Sequence, residues 1–156
     1  MTSLASEVIK ALAGKTLATA ESCTGGMIGQ LLTGVSGASA VYKGGVISYT
    51  NAVKQNVLGV DGEMLKNIGA VSAPVAEAMA SGVRRLLNAD AAVSVTGLAG
   101  PGGDEFGNPV GTVFIGFDSE TCSEVKEFHF AGDRDSVRRQ AAEEALRLIL
   151  SNKERL

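Results

Sequence analysis

The 156-residue chain is 45% apolar and 20% charged, with 14 basic and 17 acidic side chains, a net charge of −3 and 20 glycines. That is enough chain for one domain with a substantial core, and too apolar a chain to be mostly disordered. The acidic balance, the lack of Trp and the absence of any run near the roughly 20 apolar residues of a membrane span argue against nucleic-acid and membrane partners. In chain order, Leu4, Val8, Ile9 and Leu12 recur at helical spacing, with Ser3 as cap and Gly14 as stop. Thr16–Ala20 then reads as a short buried strand. Glu21–Gly26 (ESCTGG) is a strand-to-helix turn, because Met27, Ile28, Leu31 and Leu32 resume helical spacing and Thr24 can cap them. Val46–Tyr49 predicts a strand, and Asn51 predicts the cap of a short helix through Leu58. Ser72 caps a longer helix carrying Val75, Met79, Val83, Leu86 and Leu87, with Pro74 in its first turn, where the missing amide is harmless. Ala91–Thr96 predicts another buried strand, Gly97–Pro109 a long glycine-rich loop, and Gly111–Phe117 with Glu124–Phe130 a hairpin. Asp133 or Asp135 opens a last helix with Val137, Ala141, Ala145, Leu148 and Ile149 on one face. The alternation predicts a single three-layer α/β/α domain, residues 1–156, with a mixed, mostly parallel sheet.

The chemistry-bearing residues lie in four segments. Glu21–Gly26 is a natural anion site, with free amides at a helix start, although it lacks the Gly-Lys-Ser/Thr ending of a P-loop. Its plain alternative is a well-capped turn. Gly37–Lys54 holds Ser36, Ser39, Tyr42, Lys43, Ser48, Tyr49, Thr50, Asn51 and Lys54, from which a hydroxyl nucleophile and a partly buried lysine base can be assembled. Read alone, Lys54 is better explained as a helix-surface lysine than as a base. Gly97–Gly111 follows a buried strand, where ligands commonly sit in α/β sheets. Gly132–Arg139 offers Arg134, Arg138 and Arg139 for a phosphate or carboxylate. Cys23 at a helix start is a second candidate nucleophile, with His129 as the one histidine to serve it. That single histidine and two distant cysteines, Cys23 and Cys122, form no zinc-type cluster, so no metal is expected. The N-terminus has no basic start and does not read as a signal peptide, and both cysteines read as free thiols, so the expected location is cytoplasmic.

Taken together, TAESCTGG (Thr19–Gly26), GVISYTNAVK (Gly45–Lys54), GAVSAPVAEAMA (Gly69–Ala80), TGLAGPGG (Thr96–Gly103), NPVGTVFIGF (Asn108–Phe117) and GDRDSVRRQA (Gly132–Ala141) resemble, in this order, the CinA C-terminal domain family. The resemblance spans nearly the whole chain. It implies the activity characterised for that family, nicotinamide-nucleotide amidohydrolase, in which nicotinamide mononucleotide and water give nicotinate mononucleotide and ammonia without a cofactor. By motif it implies Ser39 in GASA, Tyr49 in ISYTN and Lys54 in NAVK as the catalytic trio, Ser39 attacking the carboxamide and Lys54 taking the proton directly or through Tyr49. It implies Glu21, Thr24, Gly25, Gly26, Gly100 and Arg134 as substrate-binding walls, the phosphate lying on the amides of Thr24–Gly26 or on the Arg134 guanidinium. It also implies a homo-oligomer, a dimer, and the stand-alone form that lacks the N-terminal domain of longer members. Two departures concern substrate fit: Ala38 where members often have a second serine, and Thr50-Asn51-Ala52-Val53-Lys54 where they often read Ser-Asn-Glu-Ala-Lys. The competing readings are a pyridine-nucleotide-binding module without turnover and a Cys23-dependent amidase.

Overall fold

The computed structural model describes residues 3–156. Helix α1 (Leu4–Ala11) starts at Ser3, whose hydroxyl accepts the Ser6 amide, and leads into β1 (Leu17–Glu21), buried along its whole length. Helix α2 spans Met27–Thr33, a single 3-10 turn Ala38–Ala40, and β2 runs over Tyr42–Ile47. Helices α3 (Asn51–Asn56), α4 (Gly62–Asn67) and α5 (Ala73–Leu87) lead to β3 (Ala91–Gly97). The hairpin of β4 (Thr112–Ser119) and β5 (Ser123–His129) precedes α6 (Arg134–Ser151).

The sheet order is β2-β1-β3-β4-β5. Strand β1 pairs in parallel with both β2 and β3, whereas β3–β4 and β4–β5 are antiparallel, so β4 alone opposes the other strands. Alternate residues of the inner strands serve two cores, as a period of two requires. Leu17, Val93, Val95, Val113, Ile115 and Phe117 pack with α1, α2 and α6 on one face. Ala18, Ala20 and Ala92 pack with Val75, Met79 and Val83 of α5 and with Leu58, Val60 and Leu65 around α3 and α4 on the other. Each fully buried Leu, Ile, Val or Phe contributes about 1.5–3 kcal/mol of transfer free energy, which holds the three layers together.

Several boundaries differ from the sequence expectation. Strand β2 begins at Tyr42 and ends at Ile47, so only its last residues fall in the expected Val46–Tyr49 run. Its Lys43-Gly44-Gly45 segment carries little strand signal, and it is held by pairing with β1 instead. Helix α4, capped by the Asp61 carboxylate on the Glu63 amide, has too few turns to show periodicity. The cap of α2 is Gly26 at φ 106°, not Thr24, and the cap of α3 is Thr50 rather than Asn51. Ser72 sits at the cap of α5, but its hydroxyl donates to the Gly69 carbonyl at 2.8 Å.

Candidate active site

The chain leaves β1 toward β2 across α2 on one face, then passes from β2 to β3 across α5 on the other. The two crossovers diverge from β1, and the carboxyl ends of β1, β2 and β3 therefore open a crevice where ligands bind in such sheets. A cleft of about 250 Å³ lies there, lined among others by Ser22, Cys23, Tyr49, Lys54, Thr96 and Arg134. A larger hollow of about 840 Å³ separates α1, α2 and α6, but it holds no nucleophile with a base beside it, so the chemistry belongs to the smaller cleft.

Lys54 is the least ordinary residue in this cleft. It sits on α3 and only 1% of it is exposed. Its Nζ lies 3.0 Å from the Ser22 hydroxyl, 2.8 Å from the Ser48 carbonyl and 3.2 Å from the Tyr49 carbonyl. Among the described residues no carboxylate lies within ion-pair distance of it. Burial without a countercharge pushes its pKa from 10.5 down to about 8, against a smaller upward pull from Cys23. The neutral amine has two N–H donors and one lone pair. The two carbonyls take the donors, which leaves the lone pair facing the Ser22 hydroxyl. Ser22 is itself fixed at the strand end by its amide, which donates to Val95 at 3.0 Å. This arrangement can take a proton from Ser22 without a histidine.

The residues expected from sequence fall in three places. Lys54, Tyr49 and Arg134 meet at the cleft. The Tyr49 hydroxyl faces away from Lys54: it accepts from Arg134 Nη2 at 3.3 Å, and Lys54 touches only the Tyr49 carbonyl, so no relay through the phenol is formed. Arg134 Nη1 also donates to the Gly100 carbonyl at 2.8 Å, which puts Gly100 at the rim.

Ser39 is not brought to Lys54. It lies exposed on the Ala38–Ala40 turn before β2, whereas Tyr49 and Lys54 follow β2. A six-residue strand separates them, about 20 Å at the usual rise per residue. Lys43, which lines the hollow beside Ser39, is exposed and donates to the Asn88 carbonyl at 3.2 Å.

Glu21, Thr24, Gly25 and Gly26 form the back of the turn and do not line the cleft. The buried Glu21 carboxylate already occupies the start of α2: Oε1 accepts the amides of Gly26 at 3.2 Å and Ile28 at 3.0 Å, and Oε2 that of Gly29 at 3.0 Å. The helix start is thus filled from within, and these amides are closed to a substrate phosphate. Gly25 donates to the Ser22 carbonyl, and Thr24 is fully buried.

Cys23 lines the cleft, but burial pushes its thiol up to about 11, with its own amide and the nearby cations Arg138 and Lys54 pulling the other way. His129 is spent elsewhere, 2.6 Å from Glu127 at the end of β5. The residue that sequence reasoning missed is Ser22. Its signal was present: a hydroxyl directly after a buried strand and before a helix. Among the described residues no cluster of His, Cys, Asp and Glu is placed to hold a metal ion, and no helix is long and apolar enough to cross a membrane.

The chain is similar to known proteins over this whole architecture. The model of the family described as the CinA C-terminal domain matches residues 1–153. A CinA-like protein of Anaeromyxobacter sp. strain K is 52% identical over 136 residues, which are 87% of this chain and 33% of that protein. A putative competence-damage inducible protein of Bacillus subtilis strain 168 is 49% identical over 137 residues, 88% of this chain and 33% of its own length. The chain thus spans about a third of the curated relatives it matches. Among solved structures, a CinA superfamily protein from Klebsiella pneumoniae superposes with a TM-score of 0.94 at 35% identity, covering 98% of this chain and 97% of that one. A competence/damage inducible protein from Agrobacterium tumefaciens superposes with a TM-score of 0.88 at 37% identity, covering 95% and 92%. The chain belongs to the CinA C-terminal domain family.

Proposed function

We propose that this protein is a serine–lysine amidohydrolase that converts nicotinamide mononucleotide to nicotinate mononucleotide and ammonia. The observation that carries the reading is the buried Lys54 amine 3.0 Å from the Ser22 hydroxyl. The substrate comes from the motif resemblance. It is supported by a cleft sized for a ring and its carboxamide, and by the Arg134 guanidinium at the mouth, suited to a phosphate that remains outside.

In this mechanism neutral Lys54 takes the Ser22 proton as Oγ bonds to the carboxamide carbon. The tetrahedral intermediate collapses, the C–N bond breaks, and the Lys54 ammonium donates its proton to the leaving nitrogen, which departs as ammonia. Lys54, neutral again, deprotonates a water that attacks the Ser22 ester. Nicotinate mononucleotide leaves as the proton returns to Ser22. Ser22 thus takes the role that motif resemblance alone had suggested for Ser39, and the high thiol pKa weighs against the Cys23 alternative.

The test is ammonia release from nicotinamide mononucleotide by wild type, Ser22→Ala, Lys54→Ala and Ser39→Ala. Ser22→Ala and Lys54→Ala should each lose at least about 100-fold in kcat, and Ser39→Ala should stay within about threefold. A wild type that binds the nucleotide but releases no ammonia would leave the non-catalytic binding module as the better reading. Loss confined to Ser39→Ala would refute the Ser22 assignment.

A further inference from the structure

Beside Ser22 the chain keeps two backbone amides free while every neighbouring amide is used. Ser22 donates to Val95, Gly25 to the Ser22 carbonyl, Gly26 to Glu21 and Met27 to the Thr24 carbonyl. Among the described residues the amides of Cys23 and Thr24 meet no acceptor, apart from the contact of Cys23 with its own sulfur. Free backbone amides next to a nucleophile are the usual means of holding a developing oxyanion.

Their orientation is set from behind the turn by Arg138, one helical turn after Arg134 on α6. Its Nε donates to the Cys23 carbonyl at 2.8 Å and its Nη2 to the Thr24 carbonyl at 3.1 Å. In a trans peptide the N–H points opposite to the C=O. The guanidinium that holds Cys23 C=O therefore directs the Thr24 N–H to the opposite side of the turn. By holding Thr24 C=O it also directs the Gly25 N–H to the Ser22 carbonyl, and that bond turns the Cys23 N–H outward in the same manner. Arg138 is not part of the cleft lining, while Ser22 and Cys23 are. Gly25, at φ +59°, keeps the turn open to the guanidinium: a Cβ there would stand 3.3 Å from Nη2. Among the described residues the only carboxylate within ion-pair distance of Arg138 is the largely exposed Asp135, at 4.0 Å, so the two carbonyls are its principal partners.

We propose that Arg138 is a positioning residue for the hydrolysis. Its two arms lock the Cys23 and Thr24 peptides so that the amide of Cys23, which lines the cleft, receives the oxyanion formed when Ser22 attacks. The inference rests on the Ser22–Lys54 reading and adds to it the origin of an oxyanion donor. A guanidinium suits the task because it presents two fixed donors to carbonyls one residue apart, whereas an ammonium holds one at a time.

The experiment compares wild type, Arg138→Lys and Arg138→Ala by three readouts: kcat and KM for ammonia release, the thermal midpoint, and the rate at which an alkyl fluorophosphonate labels Ser22. In that labelling the Ser22 Oγ–P bond forms, fluoride leaves and the serine proton passes to Lys54, while the phosphonyl oxygen occupies the proposed amide site. Losing an oxyanion donor costs about 100-fold in kcat or more. Both variants should lose about that factor in kcat and a parallel factor in labelling, with KM within about threefold of wild type. Added methylguanidinium should restore part of the rate of Arg138→Ala. If Arg138→Ala fails to fold, Arg138→Lys, which keeps the stem and the charge, carries the test. Variants that keep kcat and labelling within about threefold of wild type would overturn the inference and leave the amidohydrolase reading standing. A wild type labelled at Ser22 without releasing ammonia counts against that reading alone, and the labelling rates still decide the role of Arg138. Neither turnover nor labelling in wild type overturns both.

Discussion

The working group of this site is a lysine deprived of both water and a countercharge. Solvent would hold its ammonium near 10.5, and an adjacent carboxylate would hold it higher still. Around Lys54 there are instead two carbonyls and a hydroxyl, which stabilise an ammonium less well than water and a carboxylate would, and the pKa falls to about 8. The sign of the resulting pH dependence follows directly. In the proposed mechanism the base is the neutral form, so activity is expected above the folded-state pKa and lost as pH falls through it. We expect kcat/KM for ammonia release to fall about tenfold per pH unit below about 8 and to level off above it. A profile that is flat from pH 6 to 9 would show that the free enzyme does not use Lys54 as its base.

At the scale of elements, the turn between β1 and α2 is built around an internal anion. Its glycines supply the φ values of +59° and +106° that let the chain fold back so soon after the strand. The Glu21 carboxylate then takes three amides at the start of α2. Glu21→Ala should leave those donors without an acceptor and cost about 3 kcal/mol of stability. Glu21→Gln, which retains an acceptor, should cost less. Urea denaturation of the three proteins measures this, and a loss below about 1 kcal/mol in Glu21→Ala would show that solvent or a backbone shift replaces the carboxylate. The Gly97–Gly111 segment is similarly organised. Asp104 accepts the amides of Phe106 and Asn108 and the Asn108 side chain, which in turn donates to the Val71 carbonyl. Burial tends to raise the Asp104 carboxyl, but hydrogen bonds from Asn108, Phe106 and its own amide outweigh it and hold the group below the usual carboxylate range.

Across the whole molecule, the site exists because elements distant in sequence end at one edge of the sheet. The end of β1 presents Ser22, the β2–α3 connection presents Tyr49, α3 presents Lys54, β3 presents Thr96, and the start of α6 presents Arg134. Arg134 ties the last of these to the β2–α3 connection and to the loop after β3, reaching Tyr49 and Gly100 with separate nitrogens. With the start of α2 closed by Glu21, the proposed function assigns the substrate phosphate to Arg134. Arg134→Ala should raise KM for nicotinamide mononucleotide about 10- to 100-fold, the worth of a charge-assisted contact. It should leave KM for the corresponding nucleoside, which has no phosphate, within about threefold. Equal effects on both substrates would show that Arg134 only braces the Gly100 loop.

By itself the sequence determined the helices, most strands, the hairpin and the layered α/β class, because apolar spacing and cap residues are local signals. It also determined that Tyr49, Lys54 and Arg134 belong to chemistry-bearing segments, since their motifs recur in a known family. Which serine meets the lysine was decided only by the tertiary structure. Ser22 and Ser39 both precede Lys54 in sequence, Ser39 the nearer of the two, and they look alike as residues. Parallel pairing of β1 with β2 aligns Glu21 with Ile47, so the residues just after each strand meet while those before β2 are left at the opposite end. The same holds for Glu21 and Arg138. A carboxylate and a guanidinium carry no local sign that one will fill a helix start and the other will hold two carbonyls from 114 and 115 residues away. Those assignments depend on where the folded chain leaves a donor or an acceptor unpaired, and that accounting is closed only in three dimensions.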